Sequence, residues 1–502
     1  MRILLIISLC FNSIFIFCQI PDAKRDFQWL IGYRDSVDKT VINLFDFSTL
    51  PLSIQPFSIS NGYLPLRSGV TICDTTGNLL IYSSGCDVFD GQLQALTNGT
   101  HITPNDWVYA GYCPDYYPFT QSWLILPDPV KDSLFYLLVI GHHQSTGDGI
   151  HAWGLYASHL SNQEVFEKNK LICADSIFGG HLTTCRHANG RDWWLVLNKI
   201  KTNQYYKYLL SPLGIHFVDL QTIGMPTDWY GSGTGQSAFS PDGSKFIHYD
   251  NVTDMFFFDF DRCSGILSNF RQVTIEHNED SGNSQGGMAI SPNSRFAYTF
   301  GYLYSYQVDL QANDLQASVT QVAYWDSTFV GSFKTTFGKA ASAPDGKIYA
   351  AVPGGNPYMH IIHNPNAKGD SCQFEQHGLF LPYSWNTNTM PNFPNFRLGR
   401  MEGSVCDKVY TGTNEVAGGK SEIKILPNPN NGTFQIQLPT EHYTDWSLEI
   451  VDLNGQIRWQ SKCVRNQVHI NASLPPGLYI LVCTECNSGK KMIQRFIVHT
   501  RQ

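Results

Sequence analysis

The sequence predicts an all-β chain: a β-propeller, read as seven blades with six or eight as alternatives, followed by a small Ig-like β-sandwich. Three observations carry this expectation. The stretch Gly235-Gln236-Ser237-Ala238-Phe239-Ser240-Pro241-Asp242-Gly243-Ser244-Lys245-Phe246-Ile247-His248-Tyr249-Asp250 reads as strand, tight turn and strand, because proline presets φ and glycine tolerates φ > 0. The pattern recurs in Gly287–Tyr298 and Lys339–Ala350, and in looser form at Val70–Tyr82, Leu124–Leu138 and Leu182–Leu197. Copies starting at 69, 121, 181, 235, 286, 337 and 389 lie 52, 60, 54, 51, 51 and 52 residues apart. That period fits four short antiparallel strands with their turns, which bury their faces only against neighbouring copies.

Taken in order, Met1–Cys18 has Arg2 and then an apolar run from Ile3 to Phe17, the pattern of a secretory signal peptide cleaved before Gln19. The run is short for a membrane span, and no later stretch is long enough for one. Strands are expected at Trp29–Tyr33, Val41–Phe47 and Leu52–Phe57. With a fourth strand from Pro391–Phe396 they would make one blade joining the two ends of a 27–400 propeller, closing the ring and removing its exposed edges. Residues 401–420 read as a linker rich in Gly, Thr and Ser. Within 421–502 about seven short strands suggest the sandwich.

The formal net charge is −8 without a Lys/Arg cluster, which argues against nucleic acid or an anionic membrane as partner. Thirteen cysteines, less Cys10 and Cys18 of the leader, leave an odd number, so at least one stays unpaired in an oxidising compartment. Cys483 and Cys486 have knuckle spacing but lack a second pair to complete a zinc site.

Residues 421–502 closely resemble the type A C-terminal sorting domain of type IX secretion cargo in the Bacteroidetes. The match is carried by Pro427-Asn428-Pro429 with Gly432-Thr433-Phe434, by Asp452 and Gly455 in Val451–Gly455, by Gly477 and Tyr479 in Leu474–Tyr479, and by Lys491 leading to Phe496–His499. The resemblance implies that this segment is read by the export machinery, that the protein passes through the periplasm to the outer surface or medium, and that the domain is usually removed outside. Residues 25–400 look like the uncharacterised propellers that commonly precede such domains. This rests on Asp74–Tyr82, Leu96–Gly99, Gln121–Pro127 and Pro391–Phe393, and it implies no activity.

Chemistry-bearing candidates are few. The run His142–His151 holds three histidines and Asp148, but glycines 147 and 149 suit a solvated loop as well as a metal site. His181–His187 opens an innermost strand, so alternate residues could face the axis. Asp259 with Asp261, or Glu279 with Asp280, could be a glycosidase pair only at a diagnostic separation. No serine elbow or phosphate loop is present, and no metal or cofactor is expected. Long connections are commonly functional, and Gly99–Thr120 carries Trp107, Tyr109, Tyr112, Tyr116, Tyr117 and Phe119. Of these Trp107, Tyr112, Tyr116 and Tyr117 are the candidate binding residues, against the alternative of a satellite core. The expected function is a non-catalytic glycan- or protein-binding module outside the cell, with an extracellular polysaccharide hydrolase or lyase, and a structural adhesion component, as alternatives.

Overall fold

The structure, a computed structural model, describes residues 22–32, 41–59, 69–113, 117, 119–145, 149–227, 235–250, 254–276, 286–388, 390–407, 423–428, 430–438, 445–452, 456–464, 467–486 and 491–498. The predicted leader, 1–18, lies outside them. The chain divides into two compact units, Met1–Val409 and Tyr410–Gln502.

Among its described residues the first unit holds two three-stranded and five four-stranded sheets, each an antiparallel meander, plus a two-stranded ribbon. The first sheet is Gln28–Ile31, Val41–Asp46 and Ser53–Ser58, and the second is Val70–Cys73, Leu79–Ser83 and Val88–Asp90. The third runs Trp123–Pro127, Phe135–Ser145, Gly149–Leu160 and Val165–Cys173, and the fourth Thr184–Arg186, Trp193–Asn198, Gln204–Ser211 and Gly214–Thr222. The fifth is Gln236–Phe239, Lys245–Asp250, Asp254–Phe260 and Leu267–Val273, the sixth Gly287–Ile290, Phe296–Phe300, Tyr304–Asp309 and Thr320–Tyr324. The seventh is Ala340–Ser342, Ile348–Ala351, Tyr358–Ile362 and Phe374–Phe380. The turns are those the repeat predicts: Gly243 sits at φ +73°, and its N–H donates to Ser240 O at 2.7 Å.

In several meanders burial falls toward the last strand. The opening strands Val70–Cys73 and Trp123–Pro127 are buried at every position, whereas the last strand of the fourth sheet, Gly214–Thr222, is largely exposed. A strand buried on both faces needs apolar side chains on both, which is why the inner strands read as continuous apolar runs.

The cores lie between sheets and follow one another around a ring. Leu30 and Ile42 pack with Tyr82 and Phe89, joining sheets one and two. Ile72, Trp123 and Trp193 share one core across sheets two to four. Trp194 with Phe258 joins four to five, Tyr249 with Met288 five to six, and Tyr298 with Ile348 six to seven. Trp29 and Phe45 pack with Tyr349 and Met359, returning from the seventh sheet to the first. This closed succession is a β-propeller.

The expected blade strand at Pro391–Phe396 is corrected: the segment has no strand, and sheets one and seven meet through side chains. Pro391 and Pro394 remove two backbone donors, so the segment could not pair as a regular strand. Its asparagines bind backbone groups instead. Asn392 Nδ2 donates to Trp123 O and Leu182 O at 2.9 and 2.8 Å, and Asn395 Nδ2 to Pro241 O at 2.6 Å. Beyond it, Met401 N–H donates to Ala188 O, and a disulfide joins Cys263 to Cys406, so 401–407 of the stretch read as linker is held on the first unit.

The second unit stacks Lys424–Leu426, Thr433–Gln437 and Gln467–Asn471 against a four-stranded sheet ordered Ile457–Val464, Trp446–Val451, Gly477–Glu485, Lys491–Val498. Phe434, Ile436, Leu448, Leu481 and Phe496 fill the space between.

The segment before the first strand is clamped by charge. Arg397 Nη1 and Nη2 meet the two oxygens of buried Asp26 at 2.7 and 2.6 Å, and Arg186 Nη2 meets Asp22 at 2.7 Å. Removing one partner strands a desolvated carboxylate. Arg397→Ala should therefore lower stability by about 2–3 kcal/mol, read as a lower urea midpoint, and Arg397→Lys should recover only part of it because the two-pronged contact is lost.

Candidate functional site

The predicted aromatic connection folds inward. It contains a helix, Asp106–Tyr112, tethered by a disulfide between Cys86 and Cys113. Tyr117 is fully buried; its hydroxyl donates to Ile140 O at 3.0 Å and lies 2.9 Å from His142 Nδ1. As an exposed binding ring it is corrected: it is a core residue, T-shaped against Trp123 at 5.1 Å. Phe119 stacks on His142 at 3.4 Å. Trp107 and Tyr112 are half-buried against the same core, and Tyr116 lies outside the described residues. His142 is thereby spent on tyrosine and phenylalanine, and burial pulls its pKa down to about 3. Among the described residues no group of three or more His, Cys, Asp or Glu side chains could hold a metal.

The other sequence candidates disperse. Arg186 lies 4.1 Å over the Trp193 ring as well as on Asp22, and His187 Nε2 is 3.0 Å from Cys263 O. Asp259 is paired with Lys245 at 2.6 Å and Arg271 at 2.9 Å, Asp261 caps a turn at Cys263 N, and Glu279 and Asp280 lie outside the described residues.

His181 instead joins a polar cluster where the inner strands of the fourth and fifth sheets begin. Its Nδ1 lies 2.8 Å from Ser237 Oγ, which is 3.3 Å from His248 Nδ1, and the two imidazoles stack at 4.3 Å. The Ser237 hydroxyl has one proton and two lone pairs, so it can donate to at most one of the two rings, and at least one imidazole must present Nδ1–H to it if both contacts are hydrogen bonds. Burial holds His248 at about 3 and, aided by the His248 and Lys339 charges, His181 well below its ordinary value. Ser237 is itself buried, so the trio binds strand to strand rather than offering a nucleophile. Nearby side chains act alike. Gln236 Oε1 accepts from Met288 N and Ala340 N, both at 2.9 Å, spanning three inner strands, and Lys339 Nζ donates to Gly235 O and Gly286 O. These strands approach so closely that a Cβ at Gly287 would stand 1.9 Å from Gly338 O.

A site the sequence reading missed lies on the seam of the sixth and seventh sheets. Tyr324, Phe329, Phe333 and Phe380 are each about half exposed, and each is backed by another group. Tyr324 rests on Tyr304 at 4.8 Å, Phe329 on buried Trp325 at 5.3 Å, and Phe380 on Tyr358 at 5.5 Å. Phe333 lies over Gly354, where a Cβ would come within 3.1 Å of its ring. Phe329–Val330 and Phe333–Lys334 form the two-stranded ribbon, turning at Gly331 with φ +58°. Polar groups stitch the seam: Gln376 donates to Tyr324 O at 2.8 Å and accepts from Asp326 N at 3.2 Å, and Asp326 faces His377 at 3.5 Å. The missed signal is Trp325 with Phe329 and Phe333, an aromatic run broken by a glycine hairpin between two repeats.

In the second unit the predicted motif residues are turn and edge fasteners. Asn428, after Pro427, accepts from Ile497 N at 2.9 Å. Gly432, at φ +92°, leaves no room for a Cβ, which would meet Ala472 O at 2.6 Å. Asp452 accepts from Gln456 N at 2.9 Å and from Arg458 Nε at 2.6 Å. Gly477 pairs with Val498, and Tyr479 packs on Phe496 while its hydroxyl donates to Pro475 O at 2.8 Å. Pro429 and Gly455 lie outside the described residues.

A propeller preceding a sandwich fastened by these motifs defines an exported cargo protein with its own sorting signal. Residues 424–499 match the family described as Secretion system C-terminal sorting domain. The chain is a cargo of the type IX secretion system, destined for the cell surface or the extracellular space, and no described helix is long and apolar enough to cross a membrane. No curated protein matches it. Among solved structures it is similar to PorZ, described as an essential bacterial surface component of the type IX secretion system of Porphyromonas gingivalis, at 11% identity and TM-score 0.32, covering 92% of this chain and 63% of that one, under two thirds of its length. It is also similar to the Dos1 propeller, at 10% identity, TM-score 0.35 and coverage of 64% and 72%. A functionally unknown protein of Desulfotomaculum acetoxidans aligns at 12% identity, TM-score 0.37 and coverage of 71% and 98%. With scores this low, it is the strand pairing that establishes the fold.

The buried histidines set the acid limit. His142, His248 and His360 are held near 3 by burial, whereas the unfolded chain binds those protons from about 6.5 downward. Stability is then full above pH 6.5 and falls as pH drops toward 3, each histidine contributing up to about 1.4 kcal/mol per pH unit. Thermal midpoints across that window should fall steeply, and His248→Asn should make the slope shallower by about one proton.

Proposed function

We propose that the protein is a non-catalytic propeller that binds a glycan or another protein at the cell surface or in the medium. The supporting observation is the shelf of four half-exposed rings, each braced from behind, on an exported scaffold. Exposed aromatic groups of this kind mark interaction sites, and bracing lowers the ordering cost of binding. In this reading the seven meanders are seven blades of a propeller at 27–400, residues 1–18 are a leader removed before Gln19, 421–502 is a separately folding sorting domain met by the secretion machinery, and the source is a member of the Bacteroidetes. Binding screens of the full chain against polysaccharides and envelope proteins, run beside assays for polymer cleavage, test it: turnover without stable binding would replace it with a hydrolase or lyase.

Deleting 421–502 should leave a soluble, protease-resistant propeller in the periplasm, since each unit has its own core. Cell fractionation checks this, and truncated protein reaching the medium at full-length levels would refute the sorting role.

A further inference from the structure

The geometry points to a carbohydrate chain as the ligand of the shelf formed by Tyr324, Phe329, Phe333 and Phe380. This deepens the binding reading above and rests on it.

The first argument is the kind of apolar surface. The exposed large apolar residues of the shelf are all aromatic, at 47, 51, 51 and 55% exposure, so about half of each residue's surface is open to solvent. Another exposed apolar group of the described residues, on and beyond the last strand of the fourth sheet, mixes Phe217 with Val218, Leu220 and Met225. Aliphatic and methionine side chains serve protein contacts well, because they fill an opposing surface. An aromatic face carries a negative quadrupole. A pyranose ring offers the complement, a face of polarised C–H groups with its hydroxyls around the rim. Aliphatic groups lack that electrostatic term, so a surface selected for sugar keeps rings and omits them.

Rim hydroxyls then need short polar partners beside the rings, which the shelf provides. Ser327, Thr328 and Ser332 are exposed between Tyr324 and Phe333. Asp326 uses one oxygen on Thr328 N at 3.0 Å and faces His377 with the other, leaving lone-pair positions on a partly exposed carboxylate. Lys334 Nζ lies 5.0 Å over Trp325 and 5.7 Å over Tyr302, its ammonium held at the edge of the same surface. Gln376 fixes the spacing of Tyr324 and Asp326 by bonding the backbone of both positions.

The third argument is rigidity. The ribbon is only two residues deep on each side, yet Phe329 is anchored on Trp325 and Phe333 on Gly354. Trp325 is pinned in turn by its indole N–H, which donates to Thr328 O at 3.2 Å. A preformed platform suits a weak, repetitive ligand, whose contact with each unit is small and cannot offset the cost of ordering a loose loop.

The test is affinity electrophoresis of the full chain in native gels containing xylan, mixed-linkage β-glucan, α-mannan or hydroxyethyl cellulose. At least one polymer should retard the protein. Phe329→Ser/Phe333→Ser should weaken that retardation by about tenfold or more, Phe329→Tyr/Phe333→Tyr should keep it, and Phe217→Ser/Leu220→Ser should leave it unchanged. Equal thermal midpoints establish that the variants are folded, and Asp326→Asn, which alters no ring, should weaken binding independently. Retardation unchanged in the Ser variant would overturn the shelf while leaving the protein a glycan binder. Absence of retardation by every polymer, with an envelope protein captured by the wild type and lost in the Ser variant, would overturn the carbohydrate while keeping a binding module. Absence of both would overturn the two readings together.

Discussion

Mutual burial of sheet faces is the constraint on which the first unit depends. Trp29, Trp123 and Trp193 are almost wholly inaccessible, yet each belongs to a core made by at least two sheets. Removing one sheet would expose the faces of two others. Their stability is therefore a property of the closed ring, and the contact of Trp29 and Phe45 with Tyr349 and Met359 matters most, because it joins the two ends of the repeat array. Closure by side chains permits what closure by a shared blade would not: the segment after the last sheet is free to cross the inner strand ends and fasten them with asparagine amides.

Burial also explains the distribution of polar chemistry. Inner strands that crowd to within a glycine of one another have backbone groups that water cannot reach, and buried amides must find partners. Gln121, Gln236, Lys339 and the Ser237 pair of histidines meet that need between sheets. Residues that look catalytic in isolation, a serine between two imidazoles and a lysine whose pKa burial lowers to about 7, are explained by the requirement to join strands. The surface of the sixth and seventh sheets is free of that demand, and there aromatic rings stand half exposed.

Legibility differed by feature for physical reasons. The strands of sheets four to seven were readable because Pro-Asp-Gly, Pro-Asn-Ser and Asn-Gly turns fix local geometry and lie about one period apart. The sorting segment was readable because its glycines and prolines occupy positions that tolerate little else, as Gly432 shows. Tyr117 misled because aromatic residues in a long connection look exposed until a helix and a disulfide fold the connection back. The shelf was invisible because its members come from the last strands of two sheets and the ribbon between them.

By itself the sequence determined the all-β class, the repeat, the export tail and most turns, since each depends on residues within one period or on backbone conformations that single residues impose. Tertiary structure decided how the ring closes, which cysteines pair, that His181 meets Ser237 and His248, and which aromatic rings remain half exposed. Those outcomes depend on approach between residues as far apart as Trp29 and Tyr349, which no local spacing encodes.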